Sequence, residues 1–115
     1  MEPSDKFTDE VRENIRRLGE DAALTNQSLD WMKAVHDAGN YTYNFTWLGR
    51  PIIQFPQDMV ALQELIWSIK PDLIIETGIA HGGSLIFNAS MLALLDLDDA
   101  IAAGNTIDPK ASSRK

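Results

Sequence analysis

The apolar positions of the chain change period several times, and each change marks a predicted element. Phe7, Val11, Ile15 and Leu18 recur at helical spacing and predict a first amphipathic helix. Met1 to Ser4 should fray before it. Ser4 or Thr8 can cap it, Asp9 and Glu10 suit its start, Arg16 and Arg17 suit its end, and Gly19 reads as its stop. A second helix is predicted from about Asn26 to Asp37, with Leu29, Met32 and Val35 on one face, Trp31 beside them and Gly39-Asn40 as the terminator. His36 in its last turn reads as a cation near the helix end rather than as a metal or catalytic group.

From Tyr41 to Trp47 the period drops to two. Tyr41, Tyr43, Phe45 and Trp47 alternate with polar residues, which predicts an extended segment. Leu48-Gly49-Arg50-Pro51 then turns the chain, and Ile52-Ile53 can pair back as a short hairpin. Such an aromatic strand either covers the edge of a domain or walls a ligand pocket. Phe55-Pro56-Gln57-Asp58 opens a third helix, because proline is pre-set for the first turn and an acid suits the positive end. Met59, Leu62, Leu65, Ile66 and Ile69 form its predicted buried face, with Gln63 and Glu64 looking out.

The organising stretch runs from Lys70 to Ser84. Pro71 breaks the helix, and Leu73-Ile74-Ile75 form a short continuous apolar run of the kind that predicts a strand buried on both faces. Glu76 sits at the carboxyl end of that run. Gly78, Gly82 and Gly83 supply a turn, and Ser84 opens a long apolar segment, Leu85 to Leu95, of helical length. Strand, glycine-rich turn and helix in that order predict the start of a Rossmann-like βαβ unit, so the fold class is α/β. The parse is a helical segment over 1–40, an aromatic strand or hairpin segment over 41–56, a helix–strand–turn–helix unit over 57–104, and a polar connector over 105–115.

Composition narrows the partners. The chain has 115 residues, 44% of them hydrophobic, enough for one small domain with a core. Ten basic against seventeen acidic residues give a formal charge of −7, which disfavours a nucleic-acid backbone as partner. No cysteine is present, which removes disulfides and thiolate metal sites and fits a reducing cytoplasm. The charged start lacks a signal-peptide core, and no apolar run approaches the roughly 20 residues needed to cross a bilayer, so a transmembrane segment is not expected. Asn40-Tyr41-Thr42 and Asn44-Phe45-Thr46 match glycosylation sequons formally, without the secretory signal that would give them meaning.

The order of the site residues is informative. A dinucleotide fingerprint places its glycines as G-x-G-x-x-G with the acid a strand later. Here the acid comes first, as Glu76-x-Gly78-x-x-x-Gly82-x-Ser84. That arrangement looks like motif I of S-adenosylmethionine methyltransferases. Trp47-Leu48-Gly49-Arg50-Pro51-Ile52, Gln54-Phe55-Pro56-Gln57-Asp58, Gln63-Glu64-Leu65-Ile66 and the stretch from Lys70 to Ser84, taken as an ordered set, resemble the cephalosporin hydroxylase / rhamnosyl O-methyltransferase family. The resemblance covers about Tyr41 to Ala93.

The resemblance implies a methyltransferase fold and O-methylation of a sugar or small natural product, some glycolipids included. It implies S-adenosylmethionine contacts along Glu76, Thr77, Gly78, Ile79, Ala80, His81, Gly82, Gly83 and Ser84. It also implies that the catalytic groups, and any Mg2+ ligands, lie downstream, so the chain is expected to be the amino-terminal portion of a larger Rossmann-like domain. His81 could polarise a substrate or simply face solvent. Asp96, Asp98 and Asp99 form the nearby acid cluster, with Asp98 expected to cap a short final turn, Ala100 to Ala103, rather than to bind metal. The competing readings are an enzyme dependent on NAD or another nucleotide, and a non-catalytic module in which the first helices and the aromatic segment form a homo-oligomer.

Overall fold

The computed structural model describes residues 4–115, which form two compact units divided after Asn40. The expected frayed residues Met1 to Pro3 lie outside the described residues.

The first unit is a pair of helices, α1 (Asp5–Glu20) and α2 (Ala22–Gly39). Ser4 caps α1, its hydroxyl accepting the Phe7 N–H at 3.2 Å. Helix α1 ends at Glu20, one residue past the predicted stop at Gly19, and α2 begins earlier than Asn26. The early start comes from Asp21, whose carboxylate accepts the Leu24 N–H at 2.9 Å and starts a new helix at once. Along α1 the polar face is laced by ion pairs, with Arg16 held by Glu13 at 2.7 Å and by Glu20 at 2.5 Å. Those hydrogen bonds hold the Glu13 carboxyl below its ordinary range and raise the Arg16 guanidinium. Phe7, Ile15 and Leu18 of the apolar stripe remain exposed. Asn40 ends α2 in the left-handed conformation, its N–H donating to the carbonyls of Val35 and His36.

The second unit is built on a hairpin and two helices. Tyr41–Tyr43 form a single 3₁₀ turn instead of the extended start that alternation predicted. The turn is closed by Asn44 N–H to the Tyr41 carbonyl at 3.2 Å, and it folds the Tyr41 ring edge-on to Phe45 at 5.1 Å. Strands β1 (Phe45–Trp47) and β2 (Arg50–Ile52) pair antiparallel, Phe45 opposite Ile52 and Trp47 opposite Arg50. Leu48 and Gly49 alone make the turn, both with positive φ, which is the two-residue geometry whose twist suits a hairpin. Arg50 and Pro51, expected in the turn, belong to β2.

Helix α3 (Pro56–Ile69) starts at its proline and stops at left-handed Lys70. Ile66 is buried and Met59 and Leu62 half-buried, but Leu65 and Ile69 face outward and Gln63 is half-covered. Helix α4 (Gly83–Ala103) is longer than the predicted apolar segment, and it runs without a break through the three aspartates, so Asp98 caps nothing. Ile52, Ile66, Phe87, Leu92 and Leu95 form the core, with Phe45, Trp47, Met59, Leu62, Ile74 and Met91 packed against it.

The largest departure concerns Leu73-Ile74-Ile75. The run is extended but is not a strand of a sheet, and Leu73 and Ile75 are 58% and 79% exposed. Its backbone meets only the last residue: Ile74 N–H donates to the Lys115 carbonyl at 2.8 Å, and Lys115 N–H donates to the Asp72 carbonyl at 2.9 Å. That exchange has the form of one parallel bridge, between Leu73 and Lys115. A strand needs neighbours to be buried on two faces, and among the described residues it has none beyond this single bridge. The structure is therefore mixed helical with one two-stranded sheet, compatible with part of an α/β fold. No Rossmann-like parallel sheet is present among the described residues.

Candidate functional site

Two left-handed glycines shape the turn between Glu76 and α4. Gly78 has φ +79° and Gly82 φ +86°, values that a side chain would strain. Ala80 adopts φ +43° between them, and the Gly82 N–H closes the turn on the Ile79 carbonyl at 2.6 Å. Thr77, Gly78, Ile79, Ala80 and His81 are exposed along its rim. Gly83 has a different task. A Cβ there would lie 2.2 Å from the Pro51 carbonyl oxygen and 2.7 Å from Ile52 Cα, so its bare backbone lets α4 start directly against the hairpin. On the other side of the turn, the Arg50 guanidinium reaches to 3.9 Å from where a Gly82 Cβ would stand.

This packing delivers Glu76 to the first turns of α4. The Ser84 hydroxyl donates to Glu76 Oε1, and Asn88 Nδ2 donates to Oε2 at 3.3 Å. Ser84 and Asn88 are four residues apart and so share a helix face. The carboxylate also lies near the amino end of α4, where the helix dipole favours negative charge. Asn88 Oδ1 is buried with no partner, a state that costs about 1–3 kcal/mol for an acceptor of this kind.

Beyond Glu76 an open cleft of about 660 Å3 follows α4, lined by Glu76, Asn88, Leu92, Asp96, Asp108 and Arg114 among others. Its outer wall is the segment after α4. Arg114 pins that wall, with Nη1 2.6 Å from Asp96 and Nη2 2.7 Å from Asp99. The Ser112 hydroxyl also donates to Asp96. The Ser112 bond and then the Arg114 pair hold the Asp96 carboxyl below its ordinary range, while Asp96 and then Asp99 raise the Arg114 guanidinium. Asp98 points away, 3.6 Å from Lys70. The aspartate cluster is thus divided between two cations, and no group of three or more acidic or histidine side chains able to hold a metal occurs among the described residues. Across the core, the Trp47 indole N–H donates to Ser90 at 3.0 Å and its ring stands edge-on to Phe87 at 4.8 Å, so this aromatic covers the domain rather than the cleft.

Of the residues singled out in the sequence, Glu76 and Ser84 are joined directly, and Gly78, Gly82 and Gly83 shape the approach. His81 stands exposed on the rim. Asn88, Asp108 and Arg114 were not anticipated. Asn88 could have been found as the residue one turn after Ser84, and Arg114 as the cation matching the Asp96-x-x-Asp99 spacing. No helix among the described residues is long and apolar enough to cross a membrane.

Comparison with known proteins bears on the same stretch. The family model described as rhamnosyl O-methyltransferase/CmcI matches residues 39–115, more than half of the chain. A rhamnosyl O-methyltransferase of Mycobacterium leprae (strain TN) is 36% identical over 55 residues, which is 47% of this chain and 24% of that protein. The match therefore spans about a quarter of that relative's length. No solved structure matches. With two thirds of its length accounted for in this way, the chain belongs to the rhamnosyl O-methyltransferase/CmcI family.

Proposed function

We propose that the second unit carries the cofactor cradle of an S-adenosylmethionine-dependent O-methyltransferase whose acceptor is a hydroxyl of a sugar or small natural product. The observation that carries this reading is the Glu76 carboxylate docked on Ser84 and Asn88 directly beside the Gly78–Gly82 turn. The residues present fit such a ligand. Each Glu76 oxygen accepts one bond from α4 and keeps further acceptor capacity for hydroxyl or ammonium donors. Gly78 has nothing within 4 Å of its Cβ position, so a ligand can approach the main chain there.

In this reading Glu76 binds and orients the ribose or amino-acid portion, and the turn through Ser84 shapes the approach to it. When bound, S-adenosylmethionine would supply an electrophilic sulfonium methyl group, whose transfer to a hydroxyl oxygen releases the neutral thioether and a proton. Orientation of the two partners is the protein's main contribution to such a displacement. The parallel form of the Leu73–Lys115 bridge, with Leu73 and Ile75 exposed on the run, supports a Rossmann-like arrangement around it.

Titration calorimetry with S-adenosylmethionine tests the reading. Glu76→Ala should weaken binding about tenfold to a hundredfold, the worth of hydrogen bonds to a charged group. Unchanged affinity in that variant, or a melting shift with NAD and none with S-adenosylmethionine, refutes it.

A further inference from the structure

We infer that Asn88 is a positioning residue for Glu76, kept at that place for the carboxylate's orientation and at the expense of the domain's own stability. The inference deepens the cofactor reading above and rests on it for the identity of the ligand.

Glu76 lies two residues beyond the last backbone bond of the extended run, Ile74 N–H to the Lys115 carbonyl, so the orientation of its side chain is set elsewhere. What fixes it is α4. Ser84 holds Oε1 and Asn88 holds Oε2, one turn further along the same face. Two donors on two different oxygens set both the position and the plane of the carboxylate, which one donor cannot do. Asn88 is also the more demanding of the two. A carboxylate accepts only, so the amide must turn its nitrogen toward Glu76. Its carbonyl oxygen then points into the protein, where it is buried and has no hydrogen-bond partner.

A buried acceptor left in this state is a cost that a leucine of similar size would not carry. Nothing in the packing asks for an amide there: Phe87 and Leu92, on either side along α4, are both core residues. The amide lines the same cleft as Glu76. The one interaction that distinguishes asparagine from leucine at this place is therefore the bond to Glu76.

The test is Asn88→Leu in the full chain, read by thermal melting and by calorimetry with S-adenosylmethionine. We expect a melting midpoint at or above that of the wild type, together with affinity weakened about tenfold or more. A lowered midpoint with unchanged affinity assigns Asn88 to the scaffold and overturns the inference. A second measurement does not depend on the cofactor or on that variant. The side-chain amide resonances of Asn88 should move in Glu76→Ala, and unmoved resonances overturn the inference. If the wild type binds no S-adenosylmethionine, the cofactor reading fails, and the resonance measurement alone then decides the clamp.

Discussion

Gly83→Ala puts one methyl group into the tightest junction of the second unit. The new Cβ would stand 2.2 Å from the Pro51 carbonyl oxygen, 2.6 Å from Ile52 Cβ and 2.7 Å from Ile52 Cα. Two of those three atoms are backbone, so no rotamer change clears the space. Reaching an ordinary contact of 3.4 Å from the carbonyl requires a shift of about 1.2 Å (3.4 − 2.2) between α4 and β2. Ile52 and Phe87, each 2% exposed, lie in that interface, and a gap of about 0.5–1 Å already forfeits a quarter to a half of a dispersion contact. Overpacking of this kind costs about 1–3 kcal/mol, and Gly83 is the first residue of α4, where the interior helix propensity of alanine does not offset it. The middle of that range, about 2 kcal/mol, is a melting point lower by about 8–16 °C for a unit of this size. Thermal melts followed by tryptophan fluorescence measure it, since the Trp47 ring stands edge-on to Phe87. Gly19→Ala, a helical site with nothing within 4 Å, is the control and should be neutral or stabilising by about 0.4–1 kcal/mol. A Gly83→Ala protein that melts at or above the wild-type midpoint refutes the close-approach argument.

Two further outcomes follow from the turn and from the wall of the cleft. Leu48 holds φ +47° in the hairpin turn while 77% exposed, so Leu48→Asn should raise stability by about 1 kcal/mol in urea unfolding; destabilisation would show that Leu48 packs in some way its exposure hides. Asp96 titrates below its ordinary range when folded, so its contribution is present above the unfolded value of about 3.9 and is lost as pH falls through the lower folded value. The amide resonances of Ser113, Arg114 and Lys115 should accordingly shift together below about pH 4, and should do so at higher pH in Arg114→Ala. Release centred near neutral pH would contradict the Arg114–Asp96 assignment.

What could be read from the sequence was local. Gly49 and the spacing of Phe45, Trp47 and Ile52 gave away the hairpin, Pro56 the start of α3, and Ser4 the start of α1. The ordered set of motifs from Trp47 to Ser84, of which Glu76, Gly78 and Gly82 are one part, carried the family. What failed depended on distant partners or on a single capping residue. Leu73-Ile74-Ile75 reads as a buried strand because apolar runs usually are, but burial is set by neighbours that the run does not encode. The early start of α2 lay in Asp21, whose carboxylate satisfies the Leu24 N–H and so opens a helix at Ala22, ahead of Asn26. The cleft wall was hidden because Arg114 and its aspartates are 18 and 15 residues apart, and a polar tail gives no periodic sign of folding back. Asn88 was hidden inside an apolar helix, where only its partner explains it.

Asn40 has a consequence for descent. It is a single left-handed residue after α2, the compact second unit begins at the next position, and the family match begins one residue before it. Asparagine tolerates that conformation without help from its surroundings. The hairpin, α3 and α4 build their core from residues of the second unit alone: Ile52, Ile66, Phe87, Leu92 and Leu95. The side chains that descent must keep matched to one another therefore all lie on the carboxyl side of Asn40, inside the stretch that carries the family match.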